Sequence, residues 1–513
     1  MATTRRTALG LALGGMAAAG VARAQVPDGA GDLGNGMYRN PVLGGDYADP
    51  TVLRVGEDYY LTHSAFDQHP GLLIWHSRDL VNWRPIAPAL HRPLGTVFAC
   101  DLVHHDGRLF LYIPFMRAAW SPALPSFANI CVIHADRIEG PWSEPIDLNI
   151  GGFIDPAHAV DEHGTRWLFL SGVSRVRLAP DGLSTTGPVE HVYDGWRYPE
   201  DWIVEGFSLE GPKITRRGGW FYLFCAEGGT AGPATGHMVT VARSRSLAGP
   251  WDNAPNNPIV RCLSDDEPWH SRGHATAVEG PGGQWYLVYH AYARGYHTLG
   301  RQTLLEPIGW TPDGWPVARG GDLTRPLPFR PAPMPDAPVP PGLIWTEHLI
   351  SAPDPARVRH EGGTILLAAR GTGPADATVI TRATGAHAYT LTATIERDPG
   401  ATGGLLLFFN RRMYFGMGCD DAGMTTFAGG QPTYWHEPMP AARRFHLRID
   451  NDHHVVTQWW SLDGENWTRH AVRTETSGAH ANTMGDLAAL RPALFAAGSG
   501  TVRCTRFELT ERD

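Results

Sequence analysis

Five polar residues with side chains suited to acid–base or ligand chemistry recur at similar positions along the chain. Each opens a short apolar run that ends, after a glycine-marked turn, in an aromatic–leucine pair. The opening residue precedes the leucine by 12, 10, 13, 13 and 13 residues, and the leucines recur every 50, 57, 55 and 64 residues. The pairs are Asp49–Leu61, Asp101–Leu111, Asp155–Leu168, Glu210–Leu223 and His274–Leu287. This period predicts a five-bladed β-propeller in which the opening residues meet at the central axis.

Three of these residues, Asp49, Asp155 and Glu210, could form one catalytic group. Hydrolysis of a glycosidic bond needs a carboxylic acid to protonate the leaving oxygen and a carboxylate to activate water or attack carbon. We assign Asp49 as the general base and Glu210 as the general acid, because a glutamate in a crowded pocket is readily kept protonated. Asp155 would raise the pKa of Glu210 and orient it. A base and an acid facing each other across an axis leave room for a water, which favours inversion and a carboxyl separation of about 6.5–9.5 Å.

Both aspartates also have a purely structural interpretation. Asp49 and Asp155 each precede a proline, and a residue before proline prefers the extended backbone that begins a strand. Their position in the same repeat slot as Glu210 favours the catalytic interpretation. Glu205 is a second candidate for the acid, but it lies five residues out of register with the repeat.

Two basic residues are further candidates for the site. His274 could donate a hydrogen bond to substrate, bind a central cation or be a buried core histidine, and these alternatives stay open. Arg301 could bind sugar hydroxyls at the pocket mouth, with a surface ion pair as the alternative.

The composition excludes some classes of function. The 513 residues carry a net charge of −9 and no basic stripe, which argues against nucleic-acid binding. Sixty Gly, 42 Pro and 18 Trp indicate turn-rich all-β structure and a neutral ligand with stackable faces, such as an oligosaccharide or polysaccharide. After residue 24 no apolar stretch is long enough to span a membrane. The oligomeric state is left open.

Residues 1–24 are expected to be an export signal of the twin-arginine type. Arg5 and Arg6 precede an apolar stretch, and Ala22-Arg23-Ala24 supplies a cleavage site. An ordinary secretory signal is the alternative, and either places the mature chain in the periplasm or outside the cell. The six cysteines have no metal-site spacing, and buried free thiols are favoured over a Cys419–Cys504 disulfide.

Three further segments complete the predicted organisation: an all-β propeller domain over 35–325, a proline-rich linker over 326–342 and a β-sandwich over 343–513. The sandwich follows from a change to longer alternating strands separated by polar turns. These predicted strands are Tyr389–Ile395, Gly404–Asn410, Met413–Met417, Phe445–Ile449, Val455–Trp460 and Val502–Leu509.

Several phrases of the first domain resemble glycoside hydrolase family 43, in particular its members with β-xylosidase and α-L-arabinofuranosidase activities. They include GGDYADPTVLRVGEDYYLTHS, SLEGPKITRRGGWFYLFCAEGG and GRQTLLEPIGW. The resemblance implies a five-bladed propeller and an inverting mechanism, with Asp49, Asp155 and Glu210 in the roles assigned above. Residues from about 343 are similar to the concanavalin-like sandwich of family β-xylosidases, mainly through GGLLLFFNRRMYFGMG.

The resemblance also implies roles for residues that the repeat leaves open. The histidine matching His274 lies near the axis and often contacts a calcium ion, so calcium is an expected structural ligand, although no cofactor is required. The arginine matching Arg301 contacts substrate. Phe98 stands where family members often have tryptophan, and Gln302 where many have glutamate. Because both positions touch the substrate region, they bear on the choice of sugar.

The sequence therefore predicts an exported exo-glycosidase that releases a pentose from plant cell-wall oligosaccharides, with β-xylosidase as the first choice. An α-L-arabinofuranosidase, or an arabinan or galactan hydrolase of the same fold, is the alternative. A non-catalytic polysaccharide-binding propeller is the alternative from another class of protein.

Overall fold

A computed structural model describes residues 31–121, 124, 126–335, 338–340, 342–433 and 440–512. The predicted export signal over 1–24 lies outside the described residues. The described residues form five sheets of four or five strands arranged as a propeller, followed by two large packed sheets. The predicted fold class, an all-β propeller followed by a β-sandwich, is confirmed.

Each blade is an antiparallel sheet whose strands follow one another in the sequence. Blade 2 carries an extra short strand, Thr96–Val97, and blade 4 another, Val260–Arg261. Among the described residues, three short 3₁₀ turns lie in or between blades, at Ser171–Val173, Pro281–Gly283 and His297–Leu299. The main strands, blade by blade, are Thr51–Val55, Asp58–Thr62, Gly71–Ser77 and Arg84–Leu90; Asp101–His105, Arg108–Met116, Ala128–Ala135 and Ile146–Gly151; Ala157–Val160, Arg166–Leu170, Ser174–Arg177 and Glu190–His191; Leu209–Arg217, Trp220–Glu227, Met238–Ser244 and Asp252–Asn253; Trp269–Glu279, Trp285–Ala293, Gln302–Trp310 and Pro316–Ala318.

The second strand of a blade is a continuous apolar run because both of its faces are covered by neighbouring blades. In blade 4, Trp220–Glu227 is buried along nearly its whole length. Its Phe224 packs with Leu287 of blade 5, while its Leu223 packs with Phe169 of blade 3. Similar clusters join blades 5 and 1, 1 and 2, and 2 and 3, so apolar packing runs around the whole ring.

The ring is closed by pairing between distant parts of the chain. Met37–Tyr38 pairs antiparallel with Leu327–Pro328, and Leu43 bridges to Thr303 of blade 5. Leu327–Pro328 falls within the segment assigned from sequence to the linker, so the start of that segment belongs to the propeller closure.

The second domain is a sandwich of an eight-stranded and a seven-stranded antiparallel sheet. Each of its six predicted strands lies within an observed one. Its core packs Leu405 and Leu407 of one sheet against Leu391, Phe445 and Leu447 of the other. One short helix, Ala481–Met484, precedes the strand Arg491–Gly498. The strands in spatial order are Gln431–Pro432, Met424–Ala428, Met413–Cys419, Ala401–Asn410, Arg491–Gly498, Thr378–Thr381, Thr346–His348 and Gln68–His69 in the first sheet, and Val358–Glu361, Thr364–Ala368, Thr501–Arg512, Ala388–Arg397, Arg444–Asp452, Val455–Ser461 and Thr468–Glu475 in the second.

The two domains share a sheet. The last strand of the eight-stranded sheet, Gln68–His69, comes from blade 1 of the propeller. It pairs with Glu347 and His348 of the sandwich. Thr346 and Thr381 of the sandwich each donate a hydrogen bond to Gln68 Oε1, at 2.8 and 2.9 Å. The sandwich is therefore hydrogen-bonded to the loop that follows Phe66 in blade 1.

All six cysteines are buried with free thiols, so Cys419 and Cys504 do not pair. Within the described ranges, no helix has both the length and the apolar character needed to cross a membrane.

Candidate active site

The first strands of the blades bring the repeat residues to the axis through unusual backbone geometry. Asp49, Asp155 and His274 have positive φ angles of 57°, 54° and 58°. Non-glycine residues rarely adopt this left-handed conformation, which is enriched at functional sites. Glu210 lies beside a bulge instead, where the register with the neighbouring strand shifts between Glu210 and Lys213. Bulges redirect side chains in this way.

Asp49 is buried and surrounded by hydrogen-bond donors. Ser64 donates to its Oδ2 at 2.5 Å, and Arg301 Nη1 donates to its Oδ1 at 3.1 Å. His274 Nδ1 and His290 Nδ1 lie 3.4 and 3.1 Å from the same oxygen. Burial alone would raise the pKa of Asp49, but Arg301 and the two histidines outweigh it and hold that pKa well below its usual range. Asp49 is therefore ionised at neutral pH, as a general base must be.

Asp155 of blade 3 interacts with Glu210 and its neighbour Gly211 in blade 4. The backbone N–H of Gly211, next to Glu210, donates to Asp155 Oδ2 at 2.9 Å. Burial, followed by the charges of Asp155 and Asp49, raises the pKa of Glu210 well above its usual value. Burial also raises the pKa of Asp155. The surroundings thus favour the protonated form of Glu210 and the ionised form of Asp49, the division of roles that acid–base catalysis requires.

Arg301 lies between the carboxylates and the aromatic wall of a cleft. It is 3 % exposed, and its Nη2 is buried without a hydrogen-bond partner. Its guanidinium lies 5.2 Å from the ring centre of Phe66, which packs edge-on against Phe98 at 5.6 Å. A free, buried donor beside two aromatic rings is suited to a sugar hydroxyl. The surface ion pair considered for Arg301 is excluded, because this arginine is buried.

His274 is buried, and its ring lies against Gly211. A Cβ atom at Gly211, whose φ is +57°, would come within 3.0 Å of that ring. Potential ligand atoms of Glu210, His237 and His274 all lie within 4.8 Å of one another. His237 Nδ1 lies 2.7 Å from the carbonyl oxygen of Gly228, and its Nε2 is buried without a partner. Two imidazoles and one carboxylate are a poor donor set for calcium, which prefers six to eight oxygens, and a better set for borderline metals.

Asp101, the second repeat residue, has a structural environment. Its Oδ1 accepts hydrogen bonds from Lys213 Nζ at 2.5 Å and Thr51 Oγ1 at 3.1 Å, and its Oδ2 accepts one from the backbone N–H of His158 at 2.8 Å. These partners belong to blades 4, 1 and 3. Asp101 therefore joins four blades near the axis, and its charge is neutralised by a buried lysine that the repeat does not reveal.

Several residues around Asp49 were missed by the sequence analysis. Ser64 and His290 each lie three residues after the leucine of their repeat, Leu61 and Leu287. The same offset in blade 3 gives Ser171, whose hydroxyl accepts a hydrogen bond from Ile154 N–H at 3.1 Å. This position is polar in blades 1, 3 and 5, whereas blades 2 and 4 have Pro114 and Ala226 there, so it was only a partial signal. His237 follows no such repeat position.

A cleft of about 830 Å³ lies between the domains and borders the site. Phe66, Phe98 and Trp120 line it from the propeller, and Phe408 and Arg411 line it from the sandwich. The carboxyl groups of Asp49, Asp155 and Glu210 do not line this cleft. Phe66 connects the cleft with these groups, because it lines the cleft and its ring lies below the guanidinium of Arg301. Glu205, the alternative acid, is exposed, with its carboxyl group against the glycines of the loop at 229–236.

Comparisons with known proteins point to one family. The sequence model of glycosyl hydrolases family 43 matches residues 38–316. A relative from Humicola insolens, "Xylosidase/arabinosidase 43B", is 33% identical over 321 residues, which cover 56% of each chain. A "Xylan 1,3-beta-xylosidase" from a Vibrio species is 32% identical over 325 residues, covering 55% of this chain and 57% of that one. The matches thus span little more than half the length of these relatives.

The fold matches solved structures over most of the chain. The crystal structure of the GH43 BlXynB protein from Bacillus licheniformis superposes with a TM-score of 0.80 at 24% identity, covering 93% of this chain and all of that one. The superposition includes the sandwich as well as the propeller, because it extends well beyond the residues that the family model matches. The chain belongs to glycosyl hydrolase family 43.

Proposed function

We propose that the protein is an inverting exo-glycosidase that removes terminal pentosides, with β-D-xylosides as the preferred substrates. One observation carries the proposal: in a single site, where Asp49 is buried and Glu210 half-buried, the pKa of Asp49 is held low and the pKa of Glu210 is held high. A carboxylate and a carboxylic acid in one site are the two groups that glycosidic hydrolysis needs.

In the proposed mechanism, a water beside Asp49 attacks the anomeric carbon while giving its proton to Asp49. Glu210 protonates the leaving oxygen on the other side of the sugar ring, and the released sugar has the inverted configuration. Asp155 holds the Glu210 segment through the Gly211 amide and keeps the acid protonated by its charge. Arg301 Nη2 is available for a hydroxyl of the bound sugar.

The sugar preference rests on the relatives and on the cleft. The name of the Humicola relative joins xylosidase and arabinosidase. The proposal therefore includes a second activity of this protein, on α-L-arabinofuranosides. Phe98 packs against Phe66 at the cleft wall, where its ring offers an apolar face to a sugar. A cleft of about 830 Å³ that the sandwich borders on one side suits the end of a short oligosaccharide.

The direct test is hydrolysis of chromogenic β-D-xylopyranoside and α-L-arabinofuranoside by wild type and Asp49→Asn. Activity on either sugar that is lost in the variant supports the glycosidase, and the ratio of the two kcat/KM values ranks the sugars. If folded wild-type protein hydrolyses neither but binds xylan, the polysaccharide-binding alternative replaces the proposal. The anomeric form of the first product, read by NMR, tests inversion.

The pH dependence of kcat/KM should be bell-shaped, with Asp155 setting the basic limb. Activity needs Asp49 ionised and Glu210 protonated, so it falls at low pH with Asp49 and at high pH with Glu210. Because the Asp155 charge raises the pKa of Glu210, Asp155→Asn should move the basic limb to lower pH. Profiles of both proteins on one substrate check this, and an unmoved basic limb would remove Asp155 from its assigned role.

The proposed hydrolysis needs no cofactor, and a calcium ion near His274 would have a structural role only. Calcium favours six to eight oxygen ligands, whereas the potential ligand atoms grouped with His274 are one further imidazole nitrogen and one carboxylate. Activity measured after dialysis against a chelator, with and without added Ca²⁺, tests this; a loss that calcium restores would contradict it.

The protein is also proposed to be exported to the periplasm or beyond. The support is Arg5-Arg6, the apolar stretch that follows and the Ala-x-Ala site before Gln25. Amino-terminal sequencing of the protein from the extracytoplasmic fraction should begin at Gln25. An intact amino terminus in the cytoplasm would contradict export.

A further inference from the structure

The turn that leads into Arg301 is held by the sandwich domain. It connects the second and third strands of blade 5 through the 3₁₀ turn His297–Leu299. The backbone N–H of Leu490, in the sandwich, donates to the carbonyl oxygen of Thr298 at 2.7 Å. His454 Nε2, also in the sandwich, lies 2.9 Å from Thr298 Oγ1. Two sandwich segments thus contact one residue three positions before Arg301.

Asp46 connects the sandwich to Arg301 itself. Its Oδ1 accepts a hydrogen bond from the backbone N–H of Arg301 at 3.1 Å. Its Oδ2 accepts one from Nη2 of Arg491, the first residue of a sandwich strand, also at 3.1 Å. The side chains of Arg491 and Asp46 line the cleft but are only 13% and 3% exposed, so salt screens this ion pair less than a surface pair.

The carboxyl group of Asp46 lies directly against the turn. Gly300 has a φ of +76°, and a Cβ atom there would lie 2.5 Å from the Cβ of Asp46. Asp46 is held between the backbone N–H of Arg301 and the guanidinium of Arg491 and packs against Gly300, so it restrains this turn. The Arg301 guanidinium reaches Asp49 from the same backbone, so a restraint on the turn acts on the Arg301–Asp49 contact.

We propose that Arg491 is a positioning residue for the active site: through Asp46 it fixes the backbone of Arg301, and so the guanidinium that contacts Asp49. Without Arg491, the buried carboxylate of Asp46 loses its cation and the constraint on the turn weakens. The inference assigns the sandwich a part in catalysis beyond bordering the cleft, and its kinetic consequences rest on the proposed function.

Three variants of the full chain test it. Arg491→Met removes the cation and keeps the length of the side chain, whereas Arg491→Lys keeps the charge. Arg503→Met is the control for removing an arginine from the sandwich, because Arg503 pairs with Asp398 at 2.7 Å in the other sandwich sheet, with side chains 37% and 36% exposed. Thermal unfolding is measured for each, so that a loss of stability can be separated from a loss of positioning.

Arg491→Met should lower kcat/KM by roughly ten- to a hundredfold, since small misplacements of positioning groups have effects of that order. The acidic limb of its pH profile should move to higher pH, because Arg301 is a main cause of the lowered pKa of Asp49. Arg491→Lys should recover most of the rate, and Arg503→Met should match wild type. An Arg491→Met enzyme with the wild-type rate and pH profile overturns the proposal, even if its Tm falls.

Hydrogen exchange supplies a readout that needs no activity. The backbone amides of residues 296–301 should exchange faster in Arg491→Met than in wild type or Arg503→Met. Unchanged protection would overturn the positioning role whether or not the protein hydrolyses glycosides. If Arg491→Met does not fold, Asp46→Asn serves in its place, because it weakens the same ion pair from the propeller side.

Discussion

Glu210→Gln should lower kcat on an unactivated disaccharide such as xylobiose by about 10²–10⁴-fold, the usual contribution of a general acid. Glutamine fills nearly the same volume but cannot give a proton to the leaving sugar oxygen. A nitrophenolate leaves readily without a proton, so the loss on a chromogenic xyloside should be much smaller. Steady-state kinetics on both substrates measure the difference.

Glu205→Gln is the control for Glu210. It makes the same chemical change five residues earlier in the chain. The Glu205 carboxyl group belongs to an exposed residue and lies against a glycine-rich loop. The Glu205→Gln change should leave kcat on both substrates within a few-fold of wild type. If Glu205→Gln loses activity on xylobiose while Glu210→Gln retains it, the general acid has been assigned to the wrong glutamate.

Asp49→Asn should lower kcat by about 10²–10⁴-fold on activated and unactivated substrates alike. The base acts on the attacking water, and the need for it does not depend on the leaving group. Asparagine keeps one oxygen, which can accept the hydrogen bond of Arg301, and its amide N–H can donate to the Ser64 hydroxyl oxygen, so binding should change less than the rate. The two variants are therefore distinguished by how their losses depend on the leaving group.

Asp58→Asn provides the matched control for Asp49. Asp58 lies in the same blade and pairs with His76 and Arg78 at 2.8 and 2.9 Å, in a partly exposed position. Its replacement should leave kcat unchanged. An Asp49→Asn protein that is folded, by thermal unfolding, and as active as Asp58→Asn on a chromogenic substrate would disprove the general-base assignment.

Much of the fold was predictable because it is encoded locally. The recurrence of an aromatic–leucine pair marks the second strand of each blade, and each blade is a hairpin array formed by neighbouring residues. The same is true of the six sandwich strands, which alternate visibly in the sequence. The strand Leu327–Pro328 was missed because its partner, Met37–Tyr38, is almost the whole propeller domain away in the sequence.

The candidate site was likewise predictable from the sequence only in part. The repeat positions of Asp49, Asp155 and Glu210 determined that three carboxyl groups would come together, because equivalent residues of a closed ring share one end of the axis. Only the tertiary structure decided that Asp101 is neutralised by Lys213, that His237 joins His274, and that Arg491 reaches Arg301 through Asp46. These contacts join residues more than 30 positions apart that share no repeat, so no local pattern encodes them, and they form only when the blades and the sandwich have packed together.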